Sequence, residues 1–280
     1  MNIENVLIKA KKNLRDCKVK SANLDSEILL SKVINKDKKY ILLNDKKILK
    51  NKILKNYFKL IDRRKKGEPV AYITNVKEFW NSSFYVDNNV LIPRPDTELV
   101  VEEILKLSSK QENLKILDIG VGSGCILLSI LKDRPNFYGV GIDISKKSIN
   151  ISKYNAKMLQ IKNKVKFYQS DVDNFMIGKY DIIVSNPPYI DLSNLKYLEK
   201  DIKDFEPKLA LDGGFDGFSK IRRVISRAAI LIKKNGKLVL EIGFKQRNQI
   251  IEMLKKKGFY INNVVKDYGR KDRCIISTKI

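Results

Sequence analysis

Histidine is absent from this 280-residue chain, which removes imidazole general bases, His-dependent triads and His-ligated zinc together. Any chemistry here runs without imidazole, and no metal is expected. Cysteine is nearly as scarce. Cys17, Cys125 and Cys274 are odd in number and far apart, which argues against a disulfide framework or a zinc knuckle and leaves three reduced thiols. No run of about 18 apolar residues occurs, and no charged-then-apolar leader is visible. The expectation is a cytoplasmic protein without membrane association. Internal repeats and low-complexity tracts are also missing.

Acid is in short supply relative to base: 56 Lys and Arg against 32 Asp and Glu give a formal charge of +24. Such a balance favours polyanionic partners. It is discounted here by about half, because only eleven of the basic residues are Arg and the chain is also rich in Ile and Asn, as an AT-rich coding sequence would make it. Acids are read as interspersed with the bases throughout, so solvated faces account for most of the charge. Arg63-Arg64-Lys65-Lys66 and Lys255-Lys256-Lys257 stay open as contacts for an acidic partner or RNA.

What is present divides the chain in three. Residues 1–74 carry helical spacing, with Val6, Leu7, Ala10 and Leu14 and then Leu24, Ile28, Leu29 and Val33 at three- and four-residue steps. Ser21 or Asn23 is expected to cap the second helix, and Asn44-Asp45 to start another. Residues 75–95 alternate around Asn81-Ser82 and Asp87-Asn88-Asn89, which predicts a β-hairpin linker. From 96 to 280, a helix opens at Thr97-Glu98, and apolar segments at 115–119, 138–142, 164–168, 180–185, 237–243, 259–266 and 273–279 then alternate with helical ones. That order predicts an α/β fold with a largely parallel seven-stranded sheet. A mere turn near Gly269 makes the last strand antiparallel.

Two strand ends carry the chemistry. Gly120-Val121-Gly122-Ser123-Gly124 follows the first strand of the sheet and precedes a helix. A dinucleotide fingerprint would need its third glycine at position 125, where Cys125 stands. A G-x-G-x-G turn suits a ligand without a pyrophosphate, such as S-adenosylmethionine, and Asp143 follows at the interval where an acid meets a ribose hydroxyl. Asn186-Pro187-Pro188-Tyr189 closes the strand 180–185. Each proline lacks an N–H and holds its predecessor extended. The Asn186 side-chain oxygen and the Pro187 carbonyl thus become adjacent acceptors, suited to one planar NH2 group. Taken alone, Pro-Pro could simply end a strand; coupled to the glycine turn and Asp143, it reads as an acceptor site.

Further segments, namely Gly67-Glu68-Pro69-Val70-Ala71-Tyr72-Ile73, Glu78-Phe79-Trp80, Leu91-Ile92-Pro93-Arg94-Pro95-Asp96-Thr97-Glu98, Phe205-Glu206-Pro207 and Ala210-Leu211-Asp212-Gly213-Gly214, complete a pattern that closely resembles the HemK/PrmC family. The likeness runs from about Gly67 to Arg273. It implies a Rossmann-like class I methyltransferase domain with one antiparallel strand, preceded by a helical domain that docks the substrate. It also implies S-adenosylmethionine as cofactor, held by Gly120 to Gly124, Asp143 and Asn186, and a protein-glutamine methyltransferase acting on peptide chain release factors. The glutamine of a Gly-Gly-Gln segment would sit on Asn186, Pro187, Pro188 and Tyr189, with Asn186, Pro187 and Tyr189 catalytic. Where some members place an aromatic beside the adenine, this chain has Val172, which covers a ring without stacking on it. Asp171 is then the expected adenine contact, through the exocyclic amine. A monomer that requires no nucleic acid is expected. The alternative is an amine methyltransferase acting on adenine or guanine in nucleic acid.

Overall fold

The computed structural model describes residues 1–280, which form two compact units: Met1–Val76 with Glu199–Phe205, and Lys77–Leu198 with Glu206–Ile280. The first unit holds α1 (Ile3–Asp16), α2 (Ala22–Ile34), α3 (Lys38–Leu43), α4 (Asn51–Lys65) and α5 (Val70–Thr74). Ile3, Val6, Leu7, Ala10 and Leu14 line one face of α1 and bury against Leu29, Leu30, Tyr57 and Ile61. The Tyr57 hydroxyl donates to the Ser26 carbonyl, so the ring is buried without an orphaned polar tip.

One expectation needs correction in this unit. Asn44 does not start a helix: it ends α3, its side-chain amide donating back to the Tyr40 carbonyl, and the next helix opens at Asn51. Three bases of the run at the end of α4 have partners within this unit. Arg63 grips Glu68, Lys65 pairs with Asp62, and Arg64 is buried between Asp25 at 2.7 Å and Asp201 at 2.8 Å. Ser21 stands at the start of α2, but its hydroxyl donates to the Asp25 carboxylate and caps no backbone group.

The second unit opens on a hairpin of β1 (Val76–Phe79) and β2 (Ser82–Tyr85), whose first residue counts with the other unit, and continues through α6 (Glu98–Leu107). Its sheet is built from β3 (Lys115–Ile119), β4 (Tyr138–Asp143), β5 (Val165–Gln169), β6 (Tyr180–Ser185), β7 (Ile232–Glu241), β8 (Phe259–Lys266) and β9 (Asp272–Lys279). Their spatial order is β5-β4-β3-β6-β7-β9-β8, with β9 antiparallel to both neighbours and the other pairings parallel. The connecting helices are α7 (Cys125–Asp133), α8 (Lys146–Met158), α10 (Ser219–Leu231) and α11 (Arg247–Lys256); the short α9 (Lys200–Phe205) belongs with the first unit.

Strand residues alternate between two cores, as a sheet covered on both faces requires. Ile116, Ile182, Val184, Val239 and Ile276 pack with α6, α7 and α8. Leu117, Ile183, Leu238, Leu240 and Ile275 pack with α10 and α11. The chain starts in the middle at β3, builds outward to β5, and returns to lay β6 against the other side of β3. The carboxyl ends of β3 and β6 therefore flank the point where strand order reverses, which is where open α/β sheets bind ligands.

Candidate active site

Ile119 and Ser185 are register partners, so the residues that follow them, Gly120 and Asn186, leave the sheet side by side. They share a cavity of about 310 Å³. Its wall includes Gly120, Val121, Gly122 and Ser123 from the turn, Asp143 from the end of β4, Asp171 and Val172 after β5, and Asn186, Pro187 and Pro188 after β6. Two predicted residues stand outside that wall. Gly124 caps α7 and backs onto the Leu128 side chain. Tyr189 packs against Gly243 and the core beneath α10 and α11. Burial and the nearby Glu241 charge push its phenol up to about 12.

The wall fits S-adenosylmethionine on three observations. Gly120 has φ of +79°, and a Cβ built there meets nothing within 4 Å, so the space beside the backbone is open for a ligand. Asp143 accepts from the Gly122 amide at 3.0 Å and the Ser145 amide at 2.8 Å. Each of its oxygens retains a further lone pair, which can accept from the hydroxyls of a ribose. Burial holds this carboxyl above its ordinary range, and the two amides oppose that shift. Ile142 and Val172 supply apolar cover for a ring. Below the turn, Asp118 is fully buried with Oδ1 unpartnered, and burial pushes it up to about 7.

Asp171 does more than face the cavity. Its Oδ1 accepts from the Asp173 amide at 2.9 Å and from the Arg223 guanidinium, and these contacts hold the carboxyl below its ordinary value. Arg223, on α10, also grips Asp173 and lines the cavity. No local pattern marks it in the sequence.

On the acceptor side, the Asn186 amide Nδ2 donates to Thr97 Oγ1 at 3.3 Å. Val184 and Val239 are register partners, so two residues on, Asn186 and Glu241 are lateral neighbours on the α6 face of the sheet, beside Thr97 where α6 begins. Glu241 is 2% exposed and is pushed up to about 7 by burial, a shift that the neighbouring Thr97 and Asn186 side chains oppose. Its Oε2 has no partner. With Nδ2 engaged, Asn186 presents Oδ1 as its free group, next to the Pro187 carbonyl, which accepts no backbone bond.

The backbone around this corner is held from two sides. Gln246 Nε2 donates to the Tyr189 carbonyl at 3.2 Å and the Gly217 carbonyl at 3.0 Å, while its Oε1 accepts from the Gly243 amide. Gly213 donates to the Ile190 carbonyl at 2.8 Å, and a Cβ on it would stand 2.8 Å from the Tyr189 carbonyl carbon. Only glycine allows that approach. Arg94 meets Glu206 at 2.5 Å, and Glu206 also accepts from the Ile92 amide, fixing the loop that precedes Thr97. Glu241, Gln246 and Arg223 were not singled out from the sequence, and Thr97 was marked only as a helix start within a family segment. Of those three, Glu241 left a signal, as a lone acid within the apolar run Leu238-Val239-Leu240-Glu241-Ile242.

The sheet order, the glycine turn and the acid at the end of β4 define a class I, S-adenosylmethionine-dependent methyltransferase. Two solved structures share this fold: a ribosomal protein L11 methylase from Lactobacillus delbrueckii subsp. bulgaricus (TM-score 0.53, 17% identity, 70% of this chain and 84% of that one) and a methyltransferase from Pyrococcus furiosus (TM-score 0.52, 17% identity, 70% and 88%). Residues 5–74 match the PrmC N-terminal domain and residues 95–206 the methyltransferase small domain. A release factor glutamine methyltransferase of Clostridium acetobutylicum is 38% identical over 100% of this chain and 99% of that protein. One from Buchnera aphidicola subsp. Baizongia pistaciae is 39% identical over 92% of this chain and 93% of its own. The chain belongs to the release factor glutamine methyltransferase family.

Proposed function

We propose that this protein methylates the side-chain amide nitrogen of the glutamine in the Gly-Gly-Gln segment of peptide chain release factors. The observation that carries the reading is the pair of adjacent acceptors, Asn186 Oδ1 and the Pro187 carbonyl, beside a cofactor cradle in a chain of this family. Gly120, Val121, Gly122, Ser123, Asp143, Asp171, Val172 and Asn186 would hold S-adenosylmethionine, with Gly124 setting the turn from outside the wall. When bound, the cofactor supplies an electrophilic sulfonium methyl. The helical first unit is assigned to docking the release factor, in a monomeric cytoplasmic enzyme.

An amide nitrogen is a poor nucleophile because its lone pair is delocalised, as the rotation barrier of roughly 18–20 kcal/mol in a peptide indicates. Asn186 Oδ1 and the Pro187 carbonyl accept the two N–H bonds of the glutamine and fix the amide plane. Those bonds strengthen as the nitrogen becomes positive, so they favour the transition state over the ground state. Thr97 and Glu241 hold the Asn186 amide so that oxygen rather than NH2 meets the substrate. Tyr189, outside the cavity wall and near Arg94, Arg273 and Glu241, would pack on the amide plane of the bound glutamine and exclude water. Alignment of two bound reactants can supply about 7–11 kcal/mol. As the N–CH3 bond forms, the sulfonium S–CH3 bond would break to leave a neutral thioether. The nitrogen sheds one proton to solvent after transfer, so no strong base is required, in keeping with a chain without histidine.

The test is mass spectrometry of the Gly-Gly-Gln peptide from a purified release factor after incubation with enzyme and S-adenosylmethionine. A gain of one methyl on the glutamine is expected. Labelled methyl that enters co-purified nucleic acid and leaves the protein unmodified would favour the nucleic-acid amine reading instead.

A further inference from the structure

The expectation that acids are interspersed with the bases fails in several stretches, and in one of them the bases also lack ion pairs. Between Asp143 and Asp171 the chain carries Lys146, Lys147, Lys153, Lys157, Lys162, Lys164 and Lys166 and no acid at all. This stretch is α8, a 3₁₀ turn at Lys162–Lys164, and the edge strand β5. None of the seven lysines forms an ion pair, and all but the half-buried Lys164 are exposed. Lys164 instead lies over the Tyr138 ring.

These lysines are gathered, not scattered. Lys146, Lys153 and Lys157 fall on one stripe of α8, at helical spacing. An open groove of about 510 Å³ runs between that helix and β5, lined by Lys153, Lys157, Lys162, Lys166, Phe167 and Tyr168. The facing elements do not neutralise it. On β2 and the loop after it, Asp87 sits at the Tyr85 corner, where Tyr85 meets Tyr154 edge-on. Asp133 of α7 is bound to the Trp80 indole, and Asp143 is occupied by two backbone amides. A lysine on an edge strand commonly blunts strand pairing, which accounts for Lys166. It does not account for Lys153, Lys157 and Lys162, which lie off the strand.

We infer that this groove binds the backbone of single-stranded RNA, with lysines on the phosphates and the edge of the half-buried Phe167 ring, on the α8 face of β5, against a base. A cationic channel with an aromatic side chain at its wall is the physical pattern of sequence-tolerant single-strand binding. Lysine contributes point charges to phosphate and little base reading, so the contact positions the protein and selects no sequence. The choice of RNA over DNA rests on the proposed acceptor, a protein of translation termination. The groove itself is independent of that reading.

The test is fluorescence anisotropy of a labelled, unstructured 12-nucleotide RNA titrated with the full chain over a salt series. A variant carrying K153E, K157E, K162E and K166E should lose at least tenfold in affinity. Its slope of log affinity against log salt should flatten by roughly 3, from four lost phosphate contacts at about 0.7 each. The matching Lys→Gln set should show a smaller loss in the same direction. A control with the same charge change at Lys52, Lys255, Lys256 and Lys257 should change less than threefold. Equal losses in the two sets, or none in the groove set, would overturn the inference. So would tighter binding to the same DNA sequence, or binding to anionic phospholipid vesicles in place of RNA. Methyl transfer to the free release factor is read separately. Its absence in the wild-type chain, with groove-dependent RNA binding intact, would count against the acceptor alone.

Discussion

The Asn186 amide donates to the Thr97 hydroxyl at 3.3 Å, and through that bond a residue at the end of β6 takes its orientation from the start of α6. An asparagine has a donor end and an acceptor end of nearly the same shape. Which end meets the substrate is therefore decided by what holds the other. Thr97 and Glu241 occupy the donor end, leaving Oδ1 for the glutamine N–H. Replacing Asn186 with Ala should lower methyl transfer by roughly 100–1,000-fold, the range seen when one transition-state donor or acceptor is removed. Cofactor binding should be weakened but measurable by calorimetry. Near-normal turnover in that variant would end the assignment.

Thr97→Val keeps the shape and removes the hydroxyl. The expected result is a fall in kcat of about tenfold, as for loss of one or two buried hydrogen bonds, with little change in cofactor affinity. Thr97→Ser should recover most of the activity. If the serine variant is as poor as valine, packing by the methyl group and not the hydroxyl is what matters.

Asp143→Ala tests the opposite end of the cavity. Hydrogen bonds to a charged group contribute about 1.5–3 kcal/mol each, so the cofactor dissociation constant should rise roughly 10–100-fold. Asp143 also ties the Gly122 and Ser145 amides, and a modest drop in melting temperature should accompany the change. An unchanged constant would remove Asp143 from the cofactor site.

Much of this was readable in advance. The seven apolar segments that became β3 to β9 stand out because each lies between polar helices or turns, and the reversal at β9 follows from the short link at Gly269. The start of β7 was not legible. It begins at Ile232 and not near residue 237, because Lys233-Lys234-Asn235-Gly236 carries no apolar alternation, and the register with β6 shifts there. Asn44-Asp45 had the composition of a helix start, but Asn44 serves equally well as a closing side chain. In the site, the glycine turn and Asn186-Pro187-Pro188-Tyr189 were visible as contiguous residues. Glu241, Gln246 and Arg223 were not, and Thr97 showed only as a helix start, since each acts as a single side chain brought in by register or by a helix end.

Gly120→Ala separates ligand space from folding. A Cβ there meets no protein atom, so the cost to the fold is confined to the positive φ of +79°, about 1–2 kcal/mol for a residue with a side chain. The same methyl group would project into the proposed cofactor site. Cofactor affinity should therefore fall well beyond what the small loss of thermal stability suggests. A variant that binds the cofactor normally would place the ligand elsewhere in the cavity.

Glu241 gives a prediction in pH. Burial holds its carboxyl neutral up to about 7, against an ordinary 4.5, so the unfolded chain ionises first as pH rises. Unfolding then releases a proton between those two values, and stability declines across that window and levels off above it. For a fully buried group the decline is on the order of 3 kcal/mol. Asp118, pushed up to about 7 by the same cause, adds a decline of the same sign. Glu241→Gln retains a side-chain oxygen for Thr97 and Asn186 but cannot ionise. Denaturant melts of this variant should show a shallower loss between about pH 4.5 and 7 than the parent, and greater stability than the parent at pH 8. Parallel stability curves for the two proteins would show that Glu241 does not titrate in this window, and would leave Asp118 alone to account for any slope.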